Sequence, residues 1–342
     1  MEVAAHVTRP AFRCNDLVHG WPWRVGFLIV VFSVVGIRAA IVRNQRVTGL
    51  SSTVLAELVA ELGPLWHERH QARLVSRDRK RAVGAGARHK LVFVDRLLAT
   101  LVHLRHGATH DVLACWFGVD RSTITRAIGE VRPLLAERGC TIAPGMRLRT
   151  LADVVSHLGE SGRTAILDAT EIRVRRPAQG TDGRDRFISG KSKQNAVKTM
   201  VLTDAAGRLL FCGETRPGSC PDITQARESG LIDLLDTGPW VEILADAGYQ
   251  GLGAQTGGQV VTPPHRKFRK NPPPWYEEMH AQAKHAHSSR RIRVEHGIAH
   301  LKNWKALARH HGRREQLPET VQAVAALVSH QQNATRPLTH AA

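Results

Sequence analysis

Residues 165–174 read Ala-Ile-Leu-Asp-Ala-Thr-Glu-Ile-Arg-Val. From about residue 163 the apolar period of the chain changes from helical to strand-like. Ala165, Ile166, Leu167, Ile172 and Val174 predict a strand, and Asp168 ends its first apolar run. A second run, Ile243-Leu244-Ala245, ends on Asp246 and passes into Ala-Gly-Tyr-Gln-Gly. A carboxylate at the end of a buried strand is costly unless its charge is compensated. A bound cation does that, and hard oxygen donors with no thiolate beside them select Mg2+ or Mn2+ over zinc. Two such ions about 4 Å apart can activate a water on one side of a phosphate and stabilise the leaving oxygen on the other. Taken alone, Asp168 could equally cap a strand end and Asp246 could start a turn.

Working outward, Ala196 to Thr203 predicts a second strand, Asp204-Ala205-Ala206-Gly207 a turn, and Leu209 to Cys212 its hairpin partner. Pro221 opens a predicted helix through Leu235, and Trp240 to Ala245 reads as a short buried strand. A long helix is predicted over roughly Ser289 to His310. On it Arg291, Glu295 and Lys302 fall at i, i+4 and i+11, within one narrow sector at 100° per residue. Glu295 can then reach the metals, while Arg291 and Lys302 hold DNA phosphates beside them. The bland alternative is a surface Arg–Glu pair. From Arg266 to Arg314 the chain carries thirteen Lys or Arg against three acids. His296 and His300 are one turn apart, but Gly297 stands where a zinc-protease helix needs its Glu.

Toward the N-terminus the pattern is helical. Ser51 or Ser52 can cap a helix carrying Val54, Leu55, Leu58, Val59 and Leu62, which Gly63-Pro64 is expected to interrupt. Arg69 to Lys90 holds eight Lys or Arg and one Asp, a solvated face or linker or else a phosphate-contacting arm. Three helices are predicted next: Leu91 to Leu104, Asp111 to Phe117, and a third capped by Ser122 that Pro133 breaks. Ala114, Gly118, Ile124 and Ile128 have helix-turn-helix spacing. The small side chain allows close helix approach and the glycine takes the turn. Arg121, Ser122, Thr123, Thr125 and Arg126 are left outward, where a recognition helix meets the major groove. An ordinary three-helix bundle with a glycine turn is the alternative.

The net charge is +18 over 342 residues and the pI is near 10.7. Such a surplus points to a polyanion, most commonly nucleic acid. A hydrophobic fraction of 42% is enough to build a substantial core. Five cysteines with no C-x-x-C pair argue against a disulfide framework or a structural zinc site and fit a reducing, intracellular compartment. Val25 to Ile37 carries no charge but is shorter than a membrane span. The preferred reading is that roughly the first 40 residues are not part of the working enzyme; a packing helix or an anchor are the alternatives.

These residues carry a family resemblance over roughly residues 50–330. Leu-Asp-Ala-Thr-Glu at 167–171, Ile-Ser-Gly-Lys at 188–191, Pro-Gly-Ser-Cys-Pro-Asp at 217–222, Ala-Asp-Ala-Gly-Tyr-Gln-Gly at 245–251 and Arg-x3-Glu-x6-Lys ending at Lys302 resemble DDE-superfamily transposases of bacterial insertion sequences, in the branch with an N-terminal helix-turn-helix. Where related helices often place a Tyr three residues before the Arg, this chain has Ser288. The resemblance implies an α/β fold, an RNase H-like mixed sheet flanked by helices and preceded by an all-α helix-turn-helix domain. It implies that Asp168, Asp246 and Glu295 bind two Mg2+ or Mn2+ ions, and that Lys191, Lys193 and Lys198 contact transposon-end DNA. On a strand, Lys191 and Lys193 would share one face, although a solvated basic edge explains them as well. The expected organisation is an extension over 1–45, a DNA-binding domain over 46–150, a catalytic domain over 160–332 and a tail over 333–342. The expected partners are double-stranded DNA and further copies of the chain, as a homodimer or larger synaptic assembly in the cytoplasm, with no small-molecule cofactor. A metal-dependent endonuclease without strand transfer and a catalytically silent DNA-binding repressor are the rival readings.

Overall fold

The computed structural model describes residues 41, 44–76, 90–180, 182–267 and 272–335. The apolar run Val25 to Ile37, most of the basic run after Arg69, and the last seven residues of the expected tail lie outside the described residues.

A short helix α1 (Gln45–Thr48) leads into α2 (Ser52–Val75), whose N-terminus is capped by Ser51 Oγ accepting from Val54 N. Helix α2 does not stop at Gly63-Pro64. Leu62 and Trp66 are both buried on its inner face against Phe93 and Leu97, so tertiary packing outweighs the hydrogen bond that proline removes. Three helices follow: α3 (Phe93–His106), α4 (His110–Phe117) and α5 (Arg121–Glu137). Helix α5 starts one residue before Ser122 and runs through Pro133, because Val131, Leu134 and Leu135 lie in the same core as Leu62. A two-stranded hairpin, β1 (Cys140–Ala143) and β2 (Met146–Leu148), and helix α6 (Leu151–Ser161) fill the stretch expected to be a boundary. Helix α6 carries a capping box between Thr150 and Asp153.

The sheet then forms. Strands β3 (Ala165–Arg173), β4 (Ala196–Asp204) and β5 (Leu209–Pro217) make an antiparallel meander. Helices α7 (Asp222–Glu228) and α8 (Leu231–Thr237) are two pieces where one was expected, divided at Gly230, whose φ is 78°. Strand β6 is only Ile243–Leu244, leaving Trp240 exposed; α9 (Leu252–Gln255) and β7 (Val260–Val261) follow. Both short strands run parallel to β3, giving the order β5-β4-β3-β6-β7. This is the mixed sheet the resemblance implies. The expected long helix is α10 (Pro274–Arg291) running through a still-helical Ile292 into α11 (Arg293–Lys302), while α12 (Lys305–Ala308) is a separate turn after the backbone leaves the helix at Trp304. Helix α13 (Leu317–Thr335) closes the chain.

Alternation along the strands covers both faces. Ile172, Val197, Val201, Leu209 and Cys212 pack on α13 and on Leu301, Trp304 and Leu307, within a core shared with α2, α3 and α5. Leu167, Met200, Leu202 and Leu210 face Val154, Leu158, Leu231 and Leu235. No described helix is long and apolar enough to cross a membrane.

One polar knot ties α2 to the hairpin. Glu61 accepts two hydrogen bonds from Arg138, at 3.0 and 2.9 Å, and two from Arg147, at 2.6 and 2.8 Å. Burial alone would raise the Glu61 carboxyl, but the hydrogen bonds and charges of the two arginines outweigh it and hold it at about 2. A carboxyl depressed on folding contributes stability above its ordinary value of 4.5 and loses it as pH falls toward 2. Glu61→Gln should therefore destabilise by about 1–3 kcal/mol at neutral pH and by much less at pH 2. Urea unfolding at both pH values checks this; equal losses would contradict it.

Candidate active site

Strand β3 places Asp168 in its fourth position, inside the strand rather than at its end. Two residues earlier, Ile166 packs with Leu244 and Val294, and period-two alternation points Asp168 to that same face. Strand β6 pairs with β3 in parallel, Ala165 opposite Ile243 and Ile166 opposite Leu244. Asp168 and Asp246 each lie two residues beyond this last pair, Asp168 still within β3 and Asp246 just past the carboxyl end of β6, so the register brings both carboxylates to the same end of two adjacent strands. Parallel neighbours are about 4.8 Å apart.

Each carboxylate is held. Asp168 Oδ1 accepts from Ala169 N at 2.8 Å, and Arg291 Nη2 donates to Asp168 Oδ2 at 2.9 Å. Both side chains are mostly buried. Burial raises the Asp168 carboxyl above its ordinary value, and the charge of Asp246 adds to the rise. The Arg291 guanidinium and the Ala169 N–H oppose it without cancelling it. Asp246 caps a short turn, its Oδ1 accepting from Gly248 N at 2.8 Å.

Two more residues converge here that sequence reasoning did not assign to the site. Asp222 opens α7 and receives a hydrogen bond from Lys198 Nζ on its Oδ1 at 3.0 Å. Its Oδ2 would lie 3.1 Å from a Cβ on Gly248, and Asp246 Oδ1 would lie 3.0 Å from the same atom. Only glycine leaves that space open between the two carboxylates. Tyr249 is 1% exposed, and its hydroxyl has no hydrogen-bond partner. Burial, and then the charges of Asp222, Asp168 and Asp246, push its phenol far above the ordinary value. The only sequence signal for Asp222 was its place in Pro-Gly-Ser-Cys-Pro-Asp, and for Tyr249 its place after Asp246.

The remaining expected residues are distributed as follows. Glu295 stands exposed in the first turn of α11 and makes no side-chain hydrogen bond or ion pair among the described residues. Ile292 divides α10 from α11, yet its backbone stays helical at φ −55°, ψ −25° and its N–H bonds Ser288 O, so Arg291 and Glu295 follow one another one turn apart. Among the described residues no three His, Cys, Asp or Glu side chains are gathered closely enough to hold a metal ion. Lys302 ends α11. Desolvation lowers its ammonium below the ordinary value, Lys191 and Arg173 push the same way, and Glu171 and Asp168 oppose them. These cations therefore gather near the acidic edge. Lys191 and Lys193 are exposed in the turn before β4, not on a strand, and Lys193 takes φ 54°. Lys198 is on β4 but committed to Asp222.

The site fits a hard divalent cation on its donors and its space: paired aspartate oxygens, a glycine cradle, and a buried phenol hydroxyl left without an acceptor. The Arg291 guanidinium supplies the positive charge beside Asp168.

At the other end, Ala114 is buried in the α4–α5 contact and Gly118 ends α4 with φ 62°. Ile124 and Ile128 are buried. Arg121, Ser122, Thr125 and Arg126 are exposed on α5, whereas Thr123 is half-buried. Thr125 Oγ1 donates to Arg121 O at 3.0 Å and lies 2.9 Å from His110 Nδ1. Asp120, not Ser122, occupies the cap position, without a side-chain cap bond.

A helix-turn-helix joined to a mixed sheet with paired aspartates at its edge defines a nuclease-like DNA-processing class. Comparison with known proteins agrees. Residues 167–329 match the family model described as DDE superfamily endonuclease, and residues 89–141 match the helix-turn-helix of DDE superfamily endonuclease. A protein of Streptomyces albus G, named as a candidate transposase for insertion sequence element IS112, is 30% identical over 239 residues, 68% of this chain and 78% of the relative. No solved structure matches the chain significantly. The chain belongs to the DDE-superfamily transposases with an N-terminal helix-turn-helix.

Arg126→Ala should weaken binding to DNA and reduce the slope of log affinity against log salt by about 1. Fluorescence anisotropy across a salt series reads both; an unchanged slope would remove Arg126 from the phosphate contacts.

Proposed function

We propose that this chain binds the terminal inverted repeats of its element and catalyses metal-dependent cleavage and strand transfer on double-stranded DNA. The β3–β6 pairing supports the reading, since Asp168 and Asp246 each follow its last pair by two residues. Asp168 and Asp246 hold the cations, and Glu295 supplies the third carboxylate. Two Mg2+ or Mn2+ ions in such a site acidify the attacking water or 3′-hydroxyl and stabilise the leaving oxygen.

The protein's own groups do the rest. Arg291 covers Asp168 in the absence of substrate and transfers to a DNA phosphate when the strand arrives, uncovering the carboxylate. Lys302, Lys191 and Lys193 bind neighbouring phosphates and hold the scissile bond in line. Arg121, Ser122, Thr123, Thr125 and Arg126 read the end sequence from α5, with the half-buried Thr123 contributing least. Hydrolysis and joining are both in-line displacements at phosphorus, so one carboxylate cluster serves both steps in turn. Two ends must be joined, so the working form is a homodimer or larger assembly, located with the nucleoid in the cytoplasm.

Incubating the full chain with Mg2+, a labelled duplex bearing the element end and supercoiled plasmid tests this. The native chain should nick the end and join it to the plasmid. Asp246→Asn and Glu295→Gln should each reduce both products below detection while leaving duplex binding within about threefold. Undiminished cutting by Asp246→Asn would reject the assignment, and nicking without joining would make the chain an endonuclease only.

A further inference from the structure

The pair Lys198–Asp222 and the hydroxyl of Tyr249 are absorbed neither by the three acids nor by the DNA contacts. Asp222 Oδ1 is fixed by Lys198 at 3.0 Å, and both side chains are mostly buried. Lys198 is fixed in turn, since it sits inside β4 opposite Glu171 of β3. The α7 end of the arrangement is held by Gln225, whose Nε2 donates to Glu214 O at 2.9 Å and to Lys198 O at 3.5 Å. Asp222 Oδ2 and Asp246 Oδ1 both lie close to the open side of Gly248, 3.1 and 3.0 Å from where a Cβ would stand. The fold keeps the position open by placing a glycine there. Close to the same acids, whose charges act on it, Tyr249 buries a hydroxyl without a hydrogen-bond partner, an unfavourable state unless an acceptor arrives.

We propose that Asp222 and Tyr249 are positioning residues of the metal site. With a cation bound at Asp246, Asp222 Oδ2 would serve as a hydrogen-bond acceptor beside it, and the Tyr249 hydroxyl would donate to one of the aspartate oxygens. Lys198 sets the orientation of Asp222 and is not a DNA contact. The proposal rests on the carboxylate site of the preceding section. It adds that site's supporting layer, which controls how tightly the cation is held and how Asp246 is turned toward it. Removing outer partners of this kind weakens metal binding about 10–100-fold.

Titration calorimetry of Mn2+ into the full chain without DNA measures this, with Mn2+ electron paramagnetic resonance as a second readout. The native chain should bind Mn2+, and Asp168→Asn should lose that binding. Asp222→Asn should raise the Kd about tenfold and Tyr249→Phe severalfold, with metal-free thermal unfolding unchanged in Tyr249→Phe. Tyr249→Phe removes one oxygen and keeps the packing, so it carries the measurement if Asp222→Asn fails to fold. Native Kd values in both variants, beside a loss in Asp168→Asn, would overturn the proposal and leave the carboxylate site standing. No Mn2+ binding by the native chain, or binding indifferent to Asp168→Asn, would overturn both.

Discussion

The rest of the structure turns on one costly placement, an aspartate carboxylate inside the central strand of the sheet. A buried carboxylate without a counter-charge is worth several kcal/mol against folding. Arg291 answers that cost at 2.9 Å, reaching in from the last turn of α10. The compensation is incomplete, since burial and Asp246 still hold the Asp168 carboxyl above its ordinary value. A site built for stability alone would replace the pair with apolar groups of similar volume. A destabilised carboxylate retained next to a second one attracts added positive charge strongly, which supports the proposed metal-site reading.

The helical segment that carries Arg291 and Glu295 obeys the same constraint. Its backbone stays helical through Ile292, at φ −55° and ψ −25°, and leaves the helix at Trp304. Arg291 points into the sheet while α11 packs through Val294 against Ile166 and Leu244 and through Gly297 against Thr203 and Gly207. A Cβ on Gly297 would fall 2.8 Å from Thr203 Cγ2, so α11 is seated on the β4–β5 turn as closely as backbone permits. The exposed acid therefore rides on a helix seated closely against the sheet.

What was legible in the sequence was periodic. The strand pattern over 165–174 and 196–203, the Ala114–Gly118–Ile124 spacing and the amphipathic faces of α3 and α5 are local, and local patterns follow from burial on one side. What was not legible depended on tertiary packing. Pro64 and Pro133 lie inside helices because core contacts on both sides hold the backbone through them. Helix α6 could have been found from Thr150, Asp153 and the spacing of Leu151, Val154, Val155 and Leu158. The approach of Asp222 to Asp246 could not. It depends on how α7 crosses the end of β4, on the Lys198 side chain, and on the absence of one Cβ at Gly248. The ion pair of Lys198 with Asp222 was not legible either, because a cation's partner is invisible in one dimension.

That last point bears on how a chain of net charge +18 can build an acidic centre. The long-range field of the excess Lys and Arg attracts DNA but would also repel divalent cations. Near the carboxylates, however, part of the positive charge is neutralised locally: Arg291 by Asp168 and Lys198 by Asp222. Lys191 and Lys193 are exposed beside the site, where water and salt screen them. The two pairings cancel the charges of Asp168 and Asp222 together with those of Arg291 and Lys198, which leaves Asp246 as the acid of this group without an ion pair among the described residues.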